Sequence, residues 1–137
     1  MLRRNSQRHA SSSVEFAIIA SFTFMLLFSL IICSYGVFRY QEVAALARDA
    51  ARWASVHGSQ YATDSGQAAA TQTDVYNNVI STEATGLDLT KLNYSVTWPQ
   101  GNDPYDYVQV TITYQWIPEA YFGGLSLTST SKCTIQY

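Results

Sequence analysis

Charged residues are absent from a run of 23 residues between Phe16 and Phe38. An α-helix over that run is about 34 Å long, which is enough to cross a hydrocarbon core of about 30 Å. Acidic residues are also absent from the first 14 positions, which contain Arg3, Arg4 and Arg8. This asymmetry predicts a single-pass helix in contact with membrane lipid, with its N-terminus in the cytoplasm and the later residues outside.

Cysteine is scarce, with Cys33 inside the uncharged run and Cys133 near the C-terminus. These two thiols are not expected to bridge, and no disulfide framework is predicted. A removable signal peptide is an alternative, but the run is longer than the usual 7–15 apolar residues. Lipidation of Cys33 is another, although Ile32 precedes it where a small residue is usual. A retained membrane anchor is the favoured interpretation.

Residues that perform catalysis or bind metal ions are few. His9 and His57 have no Cys, Asp or Glu at a ligand spacing, and the sequence has no glycine-rich phosphate loop or nucleophile elbow. We therefore expect no enzyme activity, no metal and no cofactor. A Ca²⁺ site at Asp103 and Asp106 stays an alternative to a polar turn. Beyond Gly58 two lysines stand against seven acidic residues, so nucleic acid is not an expected partner.

Strong helix formers continue beyond the uncharged run, with neither Pro nor Gly from Arg39 until Gly58. An apolar stripe recurs there at spacings of three and four, as expected for an amphipathic helix. The stripe consists of Val43, Leu46, Ala47, Ala50 and Ala54. Arg39 with Glu42 and Asp49 with Arg52 lie largely off the stripe and can pair weakly. We predict one long helix, half in lipid and half outside, whose small residues let another surface approach closely.

The sequence after Gly58 predicts a loop at 59–67, a second helix over about Gln67–Thr85 and three strands. The inner face of the second helix would contain Ala68, Ala69, Val75, Val79 and Ile80. From Asn93 the apolar period changes to two, in "NYSVTW", "YVQVTITYQW" and "LSLTSTSKCTIQY". The predicted fold class is therefore α+β, with a three-stranded antiparallel meander and a helix on one face.

Aromatic residues cluster near the two C-terminal strands. They are Tyr105, Tyr107, Tyr114, Trp116, Tyr121 and Phe122. Most are expected in the core and in cross-strand pairs. A partner-binding patch is the alternative.

Glu15 directly precedes the uncharged run, and two interpretations of it stay open. Ser12-x-x-Glu15 matches a capping box, in which both side chains bond to free backbone donors at a helix start. A carboxylate in the first turn also interacts favourably with the helix dipole. The second interpretation depends on the whole N-terminal string, in which arginines precede a small residue, a short spacer, Glu15, Phe16 and about 20 apolar residues.

That string resembles the N-terminal signal of type IV pilin-like proteins. More narrowly, "SSSVEFAIIASFTFMLLF" and the following "VAALARDAARWAS" are similar to the TadE-like minor pseudopilins of Tad (Flp-type) pilus systems. The resemblance covers about residues 8–57. It implies that a prepilin peptidase cuts between Ala10 and Ser11, where the family usually has Gly before the cut. The chain would then comprise a leader at 1–10, an extended helix at 11–58 and a periplasmic α+β domain at 59–137.

The resemblance further implies that Glu15, as the fifth mature residue, and Phe16 direct recognition between subunits. The expected partners are the peptidase, other pilins or pseudopilins and the inner-membrane assembly platform. The expected function is biogenesis of a Tad pilus, at its initiation or tip, from the bacterial inner membrane. An unprocessed, singly anchored periplasmic binding module is the alternative.

Overall fold

The computed structural model describes residues 6–118 and 123–137, with side chains from residue 12 onward. It contains two compact units, Met1–Tyr35 and Gly36–Tyr137. A long N-terminal helix, shorter helices and a three-stranded antiparallel sheet confirm the predicted α+β class. Cys33 and Cys133 are both free thiols.

Helix α1 runs from Ser6 to Ser55, a length of 50 residues, and confirms the predicted extended helix. Its uncharged part contains four Ser and Thr hydroxyls that lipid could not solvate. Each donates a hydrogen bond of 2.8–2.9 Å to the carbonyl four residues earlier. These residues are Ser21, Thr23, Ser29 and Ser34. The helix therefore satisfies its own polar groups, as an apolar solvent requires.

The predicted loop after Gly58 is wrong, because Ser59–Ser65 form a short helix, α2. Thr63 and Ser65 each donate a side-chain hydrogen bond to the carbonyl four residues earlier. Gly66 then ends the helix in the left-handed region, with φ of 68°. Polar residues that are typical of a loop thus close two helical turns through local bonds, and glycine provides the C-terminal cap.

The second predicted helix is present but begins later. It comprises α3 (Gln72–Val75), a π-helical turn at Tyr76–Ile80 and α4 (Ser81–Glu83). A capping box at Thr71 and Asp74 fixes its start. Val75, Val79 and Ile80 are buried as predicted. Ala68 and Ala69 precede the helix, and Ala68 is exposed, so that part of the predicted inner face is wrong.

The three strands form a meander in the order β1-β2-β3, as predicted. They are β1 (Leu92–Thr97), β2 (Tyr107–Trp116) and β3 (Leu125–Thr134), and both pairs are antiparallel. On the outer face, side-chain hydrogen bonds cross from β2 to β3, including Thr111 with Thr130 at 3.0 Å. The solvated face of this pair is therefore a polar ladder.

The core combines the external half of α1 with the inner face of β2. The predicted α1 stripe is at most 4% exposed, and alternate β2 residues are buried too. The buried β2 residues are Val108, Val110, Ile112, Tyr114 and Trp116. The small-residue stripe therefore packs within its own unit. The predicted helix on one face of the sheet belonged to the residues after Gly58, whereas here the external half of α1 also contributes to the core.

Candidate functional site

Glu15 lies well inside α1, nine residues after the helix begins at Ser6. Backbone donors at Ser12 and Glu15 therefore have carbonyl partners one turn earlier and do not need a side-chain cap. The first turn of α1 contains no acidic residue. The capping-box interpretation is thus wrong for the full chain. A carboxylate at this position has no role in starting the helix.

The side chains after Glu15 are apolar and uncovered. Glu15 itself is exposed, and no ion pair involves it among the residues with described side chains. Phe16 is 72% exposed, and Phe22 and Met25 are nearly as open. Across 6–118 and 123–137, α1 is the one helix long and apolar enough to cross a membrane. Such a surface is compatible with a single-pass membrane protein, because only lipid or other helices can cover it favourably.

The predicted processing site lies at the N-terminal end of the described chain. Ala10, Ser11 and Arg8 have helical backbone, and their side chains are outside the described part. Arg3 and Arg4 lie outside the described residues altogether. The backbone at the predicted cut is therefore helical. The leader charges remain a sequence-based prediction.

Arg39 is the first charged residue after the uncharged run, and it is held from two sides. Its Nη1 donates to Glu42 Oε2 at 2.8 Å and to the backbone carbonyl of Gly86 at 2.7 Å. The predicted Arg39–Glu42 pair is therefore confirmed. The other predicted pair, Asp49 with Arg52, is absent from the ion pairs of the described side chains. Arg39 thus connects the beginning of the external half of α1 to the turn after α4.

Gly36 lies close to the sheet at the same end of this unit. A Cβ atom on Gly36 would come within 2.8 Å of the Trp116 ring, closer than real Cβ contacts. Glycine is therefore required there by space. This contact was not predictable, because a glycine within an apolar span is ordinary and Trp116 is 80 residues away along the chain.

The predicted aromatic cluster contains both buried and exposed side chains. Tyr114 and Trp116 are buried, whereas Tyr105 is 93% exposed with a φ of 76°, an unusual value for a bulky residue. Its backbone N–H donates to the Ile135 carbonyl at 3.0 Å, which holds the loop on the C-terminal segment. Tyr121 and Phe122 lie outside the described residues. The exposure of the Tyr105 side chain was not predicted from the sequence, because the backbone conformation of Tyr105 depends on contacts with residues distant in the chain.

The loop that carries Tyr105 is also the candidate Ca²⁺ site. Ser59 Oγ donates to Asp103 Oδ1 at 2.7 Å, and the N–H of Asp106 donates to the Asp103 carbonyl at 3.1 Å. A polar turn held by these bonds accounts for the arrangement. In the described part of the chain, no group of three or more His, Cys, Asp or Glu could hold a metal ion.

His57 contributes to an aromatic stack at the end of α1. Its ring lies 4.0 Å from the Trp53 ring, and Nδ1 is 2.8 Å from the Trp53 carbonyl. The Tyr61 ring meets His57 edge-on at 4.7 Å. These contacts are consistent with a structural role for His57 at the helix terminus.

Residues 10–52 match the family model described as TadE-like protein. This part of the N-terminal helix is therefore similar to TadE-like proteins. The TadE-like segment includes Glu15, the apolar run and most of the external half of α1, and it ends before the sheet. This similarity suggests involvement in Tad pilus assembly and interaction with other pilus components. Comparison with curated proteins found no match, and comparison with solved structures found none either.

Proposed function

We propose that this chain is a minor pseudopilin, cut by a prepilin peptidase between Ala10 and Ser11, that acts in the initiation or tip assembly of a Tad pilus. The observation that carries the proposal is the position of Glu15. It is an exposed carboxylate directly before an uncovered apolar surface. The TadE-like match over residues 10–52 supports the same function.

Cleavage creates a positively charged group that can pair with the Glu15 carboxylate. A cut before Ser11 creates an α-amino group four residues from Glu15, about 6 Å along a helix axis. An unpaired charge at a membrane helix centre costs roughly 2.5–3.5 kcal/mol on insertion scales. The ammonium of a neighbouring subunit offsets that cost only when the two helices are correctly staggered. Glu15 and Phe16 therefore select the register and the identity of adjacent subunits.

Orientation in the bacterial inner membrane follows from the charge distribution. Arg3, Arg4 and Arg8 hold the leader in the cytoplasm, where the peptidase acts, and the Gly36–Tyr137 unit lies in the periplasm. Partners in this proposal are the peptidase, other pilins or pseudopilins, the assembly platform and membrane lipid. Contacts with pilins and the platform are made through the uncovered α1 surface.

The first experiment determines the N-terminus and intact mass of the membrane-extracted chain with and without the peptidase. We expect a chain that starts at Ser11 only when the peptidase is present. Ala10→Gly, which restores the residue usual in the family, should be cut at least as completely. A chain that starts at Met1 in both samples would contradict the proposal.

A matched pair of carboxylate variants tests the assembly step. Glu15→Gln should still be cut, but it should lose co-purification with the other pilins and reduce pilus number. Asp49→Asn removes an exposed carboxylate from the same helix beyond the uncharged run and should leave both readouts unchanged. Equal piliation by Glu15→Gln and wild type would refute the role of Glu15.

A second candidate function is an unprocessed, anchored periplasmic binding module. The exposed Tyr105, held at a φ of 76°, favours it, because rigid exposed aromatic residues often anchor partners. The N-terminal measurement distinguishes the two functions, since the binding module keeps Met1. Tyr105→Ala would then abolish partner capture without altering membrane insertion.

A further inference from the structure

Strand β3 lies at an edge of the sheet, with β2 on one side of it. Its register with β2 runs without interruption from Leu125 to Thr134. The next residue, Ile135, donates its N–H to the Asp106 carbonyl at 2.8 Å and accepts from the Tyr105 N–H at 3.0 Å. In an antiparallel ladder the backbone groups of successive residues point alternately toward the neighbouring strand and away from it. Those of Cys133, and of every second residue before it, therefore bond to β2.

Five residues of β3 consequently direct their backbone N–H and C=O groups away from the sheet. They are Ser126, Thr128, Thr130, Lys132 and Thr134, and we call them the β3 edge. In the described part of the chain, no backbone group bonds to these outward groups. The next outward donor is already used, because the Gln136 N–H donates to the Ser55 carbonyl at 2.9 Å. The free edge thus ends where the C-terminal segment meets α1.

The side chains of the β3 edge leave it unobstructed, because they contact β2. Three of them form side-chain hydrogen bonds of 2.6–3.1 Å to that strand. These pairs are Ser126 with Gln115, Thr128 with Thr113 and Thr130 with Thr111. Lys132 Nζ lies 5.0 Å from the centre of the Tyr107 ring, so this side chain also leans over β2.

The usual protection of an edge strand is missing from β3. Edge strands are commonly protected by Pro, by a bulge or by charged side chains. Between Leu125 and Thr134 there is no Pro, the register has no bulge, and Lys132 is the one charged residue. The β3 edge is therefore open to pairing with another strand.

Backbone geometry and charge together define what fits the β3 edge. A row of free donors and acceptors at strand spacing pairs with an extended backbone. A second copy of β3 would bring a second Lys132 and no carboxylate, because β3 contains no Asp or Glu. A segment with an acidic residue opposite Lys132 adds an oppositely charged cross-strand pair. Charge complementarity thus favours an acidic segment of a different protein.

We propose that the β3 edge binds, by strand addition, an extended segment of another protein that carries a carboxylate opposite Lys132. The segment becomes a fourth strand of the sheet. Five residues that each offer one N–H and one C=O provide about ten backbone hydrogen bonds. A second copy of this chain is the competing occupant. The proposal needs neither the cut before Ser11 nor Glu15, so its failure would leave the proposed function standing.

Amide hydrogen exchange of the full chain in detergent micelles, followed by NMR, tests the proposal. The probe is the peptide Thr-Val-Glu-Val-Thr-Val-Thr-Val-Thr, N-methylated at its four Val residues. Methylation leaves one edge of the peptide able to pair and prevents its growth into larger sheets. We expect saturating peptide to slow exchange several-fold at the N–H groups of the β3 edge. The alternate N–H groups, which already bond to β2, should not change.

Two substitutions at Thr130 separate backbone pairing from side-chain effects. Thr130→Pro removes the central outward N–H without removing a backbone bond to β2, and edge strands tolerate Pro at such positions. It also removes the hydroxyl contact with Thr111, so Thr130→Val, which loses that contact but keeps the N–H, is the matched control. Circular dichroism confirms that both variants fold. We expect Thr130→Pro to abolish the peptide-dependent slowing at Thr128 and Lys132, and Thr130→Val to retain it.

Reversal of charge tests the carboxylate and does not depend on the folding of the Pro variant. Lys132→Glu should bind the probe several-fold more weakly, and replacement of the peptide's Glu by Lys should restore binding to that variant. Equal binding of both peptides to the wild-type chain would refute the charge pair.

The other outcomes bear on strand addition and on its occupant. Exchange at the β3 edge that the probe does not slow would refute strand addition. The same slowing by a peptide that is N-methylated at every residue would also refute it, because that peptide has no donor. Slowing that appears without peptide and grows with the concentration of the chain would identify a second copy as the occupant and overturn the proposal.

Discussion

Gly58→Ala should destabilise the Gly36–Tyr137 unit more than any ordinary surface substitution. A Cβ atom on Gly58 would lie 2.5 Å from the Tyr137 carbonyl oxygen, 2.7 Å from Ile135 Cγ2 and 3.1 Å from the Asn102 carbonyl oxygen. The Gly58 φ of −82° is allowed for every residue. The position therefore needs glycine for space alone, and the cost of alanine is a packing cost.

The neighbours of Gly58 cannot move easily. Ile135 is 1% exposed, and its backbone N–H and carbonyl are bonded to Asp106 and Tyr105 at 2.8 and 3.0 Å. The N–H of Gly58 also donates to the Tyr137 carbonyl at 2.8 Å, and relief of the clash lengthens that bond. Overpacking costs about 1–3 kcal/mol and a lost hydrogen bond about 1 kcal/mol, so we expect a loss of about 2–4 kcal/mol.

Thermal unfolding in detergent, followed by fluorescence of Trp53, Trp98 and Trp116, measures this loss. For a unit of this size, 1 kcal/mol lowers Tm by about 4–8 °C, so Gly58→Ala should lower Tm by at least about 8 °C. Gly124→Ala is the matched control, because the nearest atom to its Cβ would be 3.8 Å away. Equal Tm values for the two variants would refute the steric argument.

Two further substitutions test the core and a helix start. Ile112→Ala removes a fully buried side chain and should lower the free energy of unfolding in urea by about 2–5 kcal/mol. Leu125→Ala, at a half-exposed edge position, should lower it far less. Comparable losses in the two variants would refute the assignment of the core. Hydrogen bonds from the Thr71 hydroxyl and then its backbone hold the pKa of Asp74 below its usual value, so Thr71→Val should raise that pKa in a carboxyl NMR titration. Because the pKa of Asp74 is lower in the folded than in the unfolded chain, the Asp74 carboxylate stabilises the fold fully at pH values above its unfolded pKa. That stabilisation is lost as the pH falls through the folded pKa. An unchanged Asp74 pKa in Thr71→Val would contradict this explanation.

Periodicity predicted the parts of the fold in which one face is buried. The α1 stripe from Val43 to Ala54 and the alternation from Val108 to Tyr114 both lie in the core. The predictions failed where local bonds decide the backbone. Residues 59–67 contain a short helix because hydroxyls bond back one turn and Gly66 caps it. No apolar period marks such a segment.

The candidate site was predictable in composition but not in its contacts. Glu15 and the uncharged run are visible in the sequence, yet Ser12-x-x-Glu15 also suggested a cap. Only the helix start at Ser6 removes that interpretation. The approach of Trp116 to Gly36 and the projection of Tyr105 were not predictable, because each depends on residues distant in the chain. Such contacts follow from tertiary packing and leave no local pattern.

The match to residues 10–52 and the lack of one for the sheet have a common physical explanation. A membrane span must remain uncharged and keep its hydroxyls internally bonded, so few sequences meet both demands. The sheet must only bury one face, which many combinations of apolar residues achieve. The proposed function in assembly is therefore best assigned to α1. Properties particular to this chain should lie in its loops, where Tyr105 and Ile117 are exposed.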